Sequence, residues 1–342
     1  VSVGNINAFD ASDFGLTGAV GEPELELLIE WVRGVDVKDA DNNPLTLVRE
    51  DMGDTLHSQP AAVVYGDLGG GVKDVVLYNA TNDGYLHAID AESGKELWSF
   101  IPNELLPNMA ELYYDDNVDY KNYGIDGDIV PIVYDDNNDG TIDPGTDFVY
   151  LVFGMRRGGD NYYMLDVSNK TSPELKWIRT FPEIGQSWST PVAARVKINS
   201  FSQTNDKDAV LIIGGGYDSV HDSAPHPSTP DLDGASIYML DLDTGDAVWR
   251  AGRDAGADLQ LPMMTRAIPS RIRVIDLNGD RFADRMYAAD LGGQIWRFDI
   301  TNDRAPYQLV AGGVIAQLGA EGLGTPNASE TRRFYTTPDV SM

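Results

Sequence analysis

"GYLHAIDAESGKELWSF" occupies residues 84–100, and three later segments follow its plan: "NYYMLDVSNKTSPELKWIRTF" (161–181), "SIYMLDLDTGDAVWRAG" (236–252) and "QIWRFDITNDRAPYQLVAG" (294–312). Each alternates toward an aspartate (Asp90, Asp166, Asp241 or Asp299), passes a turn, and resumes in a run that usually carries tryptophan. Alternation of period two marks a strand, so each copy reads as a hairpin. In the two most regular copies Gly94 and Gly245 provide the positive φ that the turn needs. Upstream of each hairpin lies an apolar run, "DVVLYNA", "FVYLVFGM", "AVLIIGGG" or "DRMYAAD", and before it another, "PAAVVYG", "VPIVYD", "TPVAARVKI" or "PSRIRVI".

Four strands per unit, repeated around an axis, make a β-propeller blade. The fold class expected is therefore all-β: a propeller of four-stranded blades, incomplete or modified, covering roughly residues 58–312. Trp98, Trp177 and Trp249 are read as packing between sheets and not as a ligand cage. "GGVIAQLGA" (312–320) and "RRFYTTPDV" (332–340) read as the opening of a fifth blade. Open sets of blades leave unpaired edges, so the natural chain is expected to continue past Met342. Residues 1–50 read as an N-terminal segment with one helix at about 22–34, and 51–342 as the propeller. The helix reading rests on the helical spacing in "EPELELLIEWVRG", with Pro23 near its start and Gly34 past its end.

Composition narrows the functional classes. There are 54 acidic against 25 basic residues, a formal charge of −29, which disfavours nucleic acid and anionic membrane surfaces and favours cations as partners. A saline habitat selects the same surface, and composition does not separate the two. Cysteine is absent, which excludes disulfides, thiolate metal sites and c-type haem attachment. No apolar run approaches the roughly 18 residues of a membrane span, and no signal peptide is visible.

Two short stretches concentrate oxygen ligands. In "DDNNDGTID" (135–143), Asp135, Asn137 and Asp139 stand at positions 1, 3 and 5 of a calcium loop, Gly140 at the sharp turn, Thr141 as a backbone carbonyl and Asp143 as the carboxylate at position 9. In "DLNGDRFAD" (276–284) the corresponding donors are Asp276, Asn278, Asp280, the Phe282 carbonyl and Asp284, with Arg281 where glycine would be easier and Gly279 nearby to relieve strain. Residue 146 is threonine, so the glutamate of an EF-hand is missing, and no helices flank the loop; it is read as a calcium loop within a β-hairpin. Three carboxylates about 5 Å apart repel by roughly 0.8 kcal/mol per pair in bulk water and about 3 kcal/mol at an effective dielectric of 20. A divalent ion removes that repulsion; otherwise each stretch is a solvated acidic turn. One or two Ca²⁺ ions are expected. "DVKDADNNPLT" (36–46) and "YDDNVDYKN" (114–122) fit the pattern worse and read as surface loops.

Other chemistry finds less support. His57 and His87 read as structural, and His221 and His226 share the loop "VHDSAPHPSTPDLDG" (220–234), for which a transition-metal site is the lesser of two readings. "GGGYDS" (214–219) lacks the helix and lysine of a phosphate-binding loop. Ser58 beside His57 makes no triad, and no G-x-S-x-G elbow exists.

In sequence order, "WVRGVD" (31–36), "GDTLHSQPAAVVYGD" (53–67), "YGIDGDIVPIVYD" (123–135), "GQSWSTPVAA" (185–194), "VLIIGGGYD" (210–218) and "AIPSRIRVIDLNGDRFADRMYAADLGGQIWRFDI" (267–300) resemble the calcium-binding C-terminal propeller of type IV pilus biogenesis and tip-adhesin proteins of the PilC/PilY type. The resemblance implies a secreted, extracellular protein at the pilus tip or outer cell surface, with minor pilins of the tip complex and a host or abiotic surface as partners. It implies no catalysis, calcium bound by a nine-residue loop, and occupancy linked to pilus extension against retraction. Attachment would belong to a large N-terminal portion. The ligands carried over are Asp276, Asn278, Asp280, Phe282 and Asp284; "DDNNDGTID" satisfies the same pattern and is assigned a second ion. The chain has "RGVD" and no RGD, so integrin binding does not transfer. Two alternatives stand beside this reading. One is a carbohydrate-binding, lectin-like propeller. The other is a quinoprotein dehydrogenase, whose repeats share the D-x-x-x-G-x-x-x-W spacing but which needs vicinal cysteines and more blades.

Overall fold

The computed structural model of the chain describes residues 8–17, 22–39, 42–43, 47–49, 51–115, 121–199, 208–224, 229–319 and 330–341. It contains the four expected sheets. The first is β1 (Ala61–Gly69), β2 (Val72–Ala80), β3 (Leu86–Asp90) and β4 (Glu96–Phe100); the second is β5 (Ile129–Tyr134), β6 (Phe148–Gly154), β7 (Tyr162–Asp166) and β8 (Glu174–Arg179). The third is β9 (Val192–Arg195), β10 (Ala209–Gly214), β11 (Ser236–Asp241) and β12 (Ala247–Gly252), with β13 (Leu259–Gln260) added in parallel to β12. The fourth is β14 (Arg273–Ile275), β15 (Arg285–Ala289), β16 (Gln294–Ile300) and β17 (Val310–Gln317). Apart from β13, consecutive strands pair antiparallel, so each sheet is a meander.

Alternation explains why the sheets stack. Successive side chains point to opposite faces, and a strand buried on both sides reads as a continuous apolar run. Thus Val149, Leu151 and Phe153 of β6 join the core shared with the first sheet, while Tyr150 and Val152 join the core shared with the third. On β10, Leu211 and Ile213 face the second sheet, and Val210 and Ile212 face the fourth. Among the described residues no core cluster joins the fourth sheet to the first, so the blades do not close into a ring.

The repeated residues hold specific places in this stack. Trp98, Trp177 and Trp249 pair across to Ala88, Met164 and Met239, and the register shifts after each of these pairs. The Trp98 Nε1 donates to the Lys170 carbonyl (2.9 Å) and the Trp177 Nε1 to the Leu242 carbonyl (3.1 Å), each in the hairpin turn of the next blade. Asp90, Asp166 and Asp241 accept N–H groups of their own turns, while Gly94 and Gly245 sit at φ +70° and +71°. The fourth blade departs from the plan: its tryptophan, Trp296, is on the third strand, and Asp299 pairs with Arg285 and Arg297 instead of capping a turn.

The expected fifth blade is corrected. Residues 312–317 continue β17, the outer strand of the fourth sheet, and the described residues 330–341 contain no strand. The reason is register: Val310–Gln317 pairs along the full length of β16, which commits 312–317 to the fourth sheet. The helix α1 (Glu22–Val32) buries Leu25, Leu28, Ile29 and Val32 against Tyr85 and against Leu106 and Met109. Met109 begins α2 (Met109–Tyr114) at the flank of the first sheet. The loops 36–46 and 114–122 lie partly outside the described residues.

Candidate metal centre

The two acidic stretches occupy equivalent positions. Residues 135–147 connect β5 to β6 and residues 276–284 connect β14 to β15, so each is the first hairpin loop of its blade. Each docks on the preceding blade through its eighth residue. The Ile142 N–H donates to the Tyr65 carbonyl at the first sheet (3.0 Å), and the Ala283 N–H donates to the Arg195 carbonyl at the third (2.9 Å). Both side chains are buried, in the cores between blades one and two and between blades three and four.

Inside the loops the same internal bonds recur. The first aspartate accepts the N–H at position 6: Asp135 from Gly140 and Asp276 from Arg281, both at 2.8 Å. Position 3 accepts from position 5, Asn137 from Asp139 at 2.9 Å and Asn278 from Asp280 at 2.8 Å. Position 5 accepts from position 7, Asp139 from Thr141 and Asp280 from Phe282, both at 2.8 Å. The asparagine Nδ2 donates to the carboxylate at position 5, at 3.0 Å in the first loop and 3.1 Å in the second. Positions 4 and 6 are left-handed in both: Asn138 at φ +56° and Gly140 at +80°, Gly279 at +81° and Arg281 at +74°. The sequence thus places its glycine at one of two strained positions in each loop, and a different one each time.

The closing carboxylate differs. In the second loop Asp284, at position 9, accepts the Leu277 N–H (2.8 Å). In the first loop that task falls to Asp147, which is buried and accepts the N–H of Asp136 (3.0 Å) and of Asp143 (2.9 Å); the Asp143 side chain is exposed. Asp147 is a residue the nine-residue pattern does not include; its signal in the sequence is an acid directly before β6, one place past the missing EF-hand glutamate.

The donor chemistry is that of a hard cation, all oxygen. Among the described residues, however, no three His, Asp or Glu side chains lie close enough together to hold one metal ion. In both loops the side-chain oxygens of positions 1, 3 and 5 are turned onto the backbone N–H groups of positions 6, 5 and 7. One oxygen stands apart: Asp135 Oδ1 is buried and has no hydrogen-bond partner. Such an atom is costly unless something positive meets it, so the first loop fits a cation. At Asp276 both oxygens accept N–H groups, Oδ1 from Asn278 and Gly279 and Oδ2 from Arg281. Burial pushes the Asp276 carboxyl up, but these N–H groups outweigh it and hold it below the usual carboxylate value. The Phe282 ring lies under Arg195 and Lys197, at 4.4 and 4.5 Å from its centroid, which fastens the second loop to blade three.

Two histidines pair with carboxylates away from the acidic loops, each through one ring nitrogen. His221 is buried against Asp231 (2.7 Å), which also receives Arg266 (2.8 Å), and His87 pairs with Glu96 (2.6 Å). His226 lies outside the described residues. At "GGGYDS" the glycines permit close backbone approach: a Cβ on Gly216 would meet the Gln186 carbonyl oxygen at 2.2 Å.

Residues 70–318 match the family described as the PilY1 beta-propeller domain. A type IV pilus biogenesis factor PilY1 homologue of Xylella fastidiosa is 28% identical over 231 residues, covering 67% of this chain and 16% of the relative. The type IV pilus biogenesis factor PilY1 of Pseudomonas aeruginosa is 29% identical over 233 residues, covering 66% and 17%. The chain therefore spans about a sixth of the length of these relatives. Among solved structures, the C-terminal domain of Pseudomonas aeruginosa PilY1 is similar with a TM-score of 0.49 and 22% identity, covering 78% of this chain and 49% of that one. With most of its length matched, the chain belongs to the PilY1 beta-propeller domain family.

Proposed function

We propose that this domain is a calcium-binding, non-enzymatic scaffold of a secreted protein at the tip of a type IV pilus, where it supports pilus extension against retraction and adhesion to host or abiotic surfaces. The relatives named as type IV pilus biogenesis factors support the system. The observation that carries the calcium reading is the shared bond network of the two loops, together with the buried, unpartnered Asp135 Oδ1. In the first loop Asp135, Asn137, Asp139 and the Thr141 carbonyl would hold the ion, with Asp143 or Asp147 closing the shell. In the second, Asp276, Asn278, Asp280, the Phe282 carbonyl and Asp284 would do so.

Calcium, when bound, supplies the positive charge that lets these carboxylates stay together. The protein supplies the rest: each loop is spliced between two blades, so ordering it stiffens a blade pair and favours one arrangement of the disc over looser ones. The tip complex, with its minor pilins, would read that difference.

Thermal unfolding in millimolar calcium and in chelator tests this. Calcium at about 100 times its dissociation constant adds about 2.7 kcal/mol. Asp143→Ala and Asp284→Ala should each remove part of the calcium-dependent rise. Identical melting in calcium and chelator would exclude the calcium role.

A further inference from the structure

The segments that lead into the first strand of every blade converge on the propeller axis and line a cavity of about 380 Å³ that opens to solvent. Blade one contributes His57, blade two Asp126 and Asp128, blade three Thr190 and blade four Arg271; Arg156, just after β6, completes the wall. None of these residues belongs to the acidic loops, so the cavity is separate from the calcium reading.

Its buried polar atoms do not all find hydrogen bonds. Asp126 is fully buried and matched: His57 Nδ1 lies 2.9 and 2.8 Å from its two oxygens, and Arg156 Nη1 is 3.6 Å away. Asp128 accepts the Thr190 hydroxyl on Oδ2 (3.1 Å), but its Oδ1 is buried and has no partner. The Arg156 Cζ lies over Trp188, 4.2 Å from the ring centroid, and its Nη1 is buried with no acceptor at hydrogen-bond distance. Arg271 is exposed and forms no ion pair with any described residue. The groups short of a hydrogen bond on this wall are therefore Arg156 Nη1, which has only its longer ion pair to Asp126, and Asp128 Oδ1, with the exposed Arg271 guanidinium beside them.

We infer that the axial cavity is a binding site for a small zwitterion of the α-amino-acid type, its carboxylate on Arg156 and Arg271 and its ammonium on Asp128 Oδ1. Buried polar atoms without partners are uncommon and call for a complement. Guanidinium groups take carboxylates in fixed, paired geometry. A simple anion would meet Asp128, and a simple amine would meet the two arginines; a ligand with both charges satisfies both walls. Trp188 is itself engaged, with Arg156 over its ring at 4.2 Å and Tyr217 stacked on it at 4.3 Å, so it offers a sugar ring less surface than the exposed Tyr335 on the same wall. The volume suits one small molecule, near the lower end of the roughly 300–1,000 Å³ usual for such sites.

Titration calorimetry on the folded chain in calcium, with glycine, alanine, aspartate, lysine and phenylalanine as probes, tests the assignment. At least one should bind with a dissociation constant on the order of 1 mM or lower, and acetate and methylammonium should each bind at least about tenfold more weakly. Asp128→Asn and Arg271→Gln should each weaken the bound amino acid about tenfold, while leaving the melting temperature and its calcium response in place. The inference is overturned if no amino acid binds, if acetate or glucuronate binds as well and is indifferent to Asp128→Asn, or if both variants bind like the parent chain.

Discussion

The two acidic loops share a blade position, a docking bond and a core set of internal hydrogen bonds, yet they satisfy their charge by different means. In the first, Asp135 keeps one buried oxygen without a partner, and the closing acid, Asp147, lies outside the nine-residue pattern. In the second, Asp276 is fully engaged by N–H groups, Asp284 closes the loop from within, and Arg281 is the one basic residue of the nine. The lesson is that one ligand pattern can serve two energetic situations. The first loop has more to gain from a cation; the second is closer to complete by itself. Calcium should accordingly depend more on the 135–147 loop than on the 276–284 loop.

The largest effect expected from breaking this comparison lies at position 8. Ile142 fills the core between blades one and two, while its counterpart Ala283 has little side chain to lose. Ile142→Ala should cost about 2–4 kcal/mol in denaturant unfolding, by lost burial and the cavity left behind. Ala283→Gly should cost only about 1 kcal/mol or less. Equal effects would show that the first loop does not clamp its blade pair through this side chain.

Asp147 comes next. Asp147→Ala strips the acceptor from two backbone N–H groups at a buried position, for about 1–3 kcal/mol even in chelator. It should also blunt the calcium response, whereas Asp284→Ala removes an acceptor for one N–H. If chelator erases the difference between Asp147→Ala and the parent, Asp147 acts only through the ion and not through the backbone.

These tests also mark what could be read from the sequence. The blades were legible because period-two runs, turn glycines and the tryptophans at 98, 177 and 249 repeat locally. The loop pattern was legible because calcium ligands alternate along one short segment. Asp147 was not, since its role depends on the chain returning through Pro144 and Gly145 to bring an acid back over residues 136 and 143. The fate of 312–317 turned on register with β16, which no local pattern in "GGVIAQ" reveals. The axial wall is the extreme case. His57, Asp128, Thr190 and Arg271 are far apart in the chain and meet only because each precedes the first strand of a different blade.

The smallest and sharpest perturbation is Arg281→Gly. Arg281 sits at φ +74°, a conformation that costs a side-chain-bearing residue about 1–2 kcal/mol, and the equivalent place in the first loop is already glycine, Gly140, at +80°. Glycine there relieves the strain but loosens the unfolded chain, so the net gain in chelator should be at most about 1 kcal/mol. The same change removes the one positive charge that the nine loop residues carry. Calcium should then stabilise the variant more than the parent, and the second loop should come to resemble the first. The reverse exchange, Gly140→Arg, should lose both stability and calcium response. If Arg281→Gly leaves the calcium-dependent shift unchanged, the arginine charge does not set the difference between the loops, and the N–H groups around Asp276 must carry it alone.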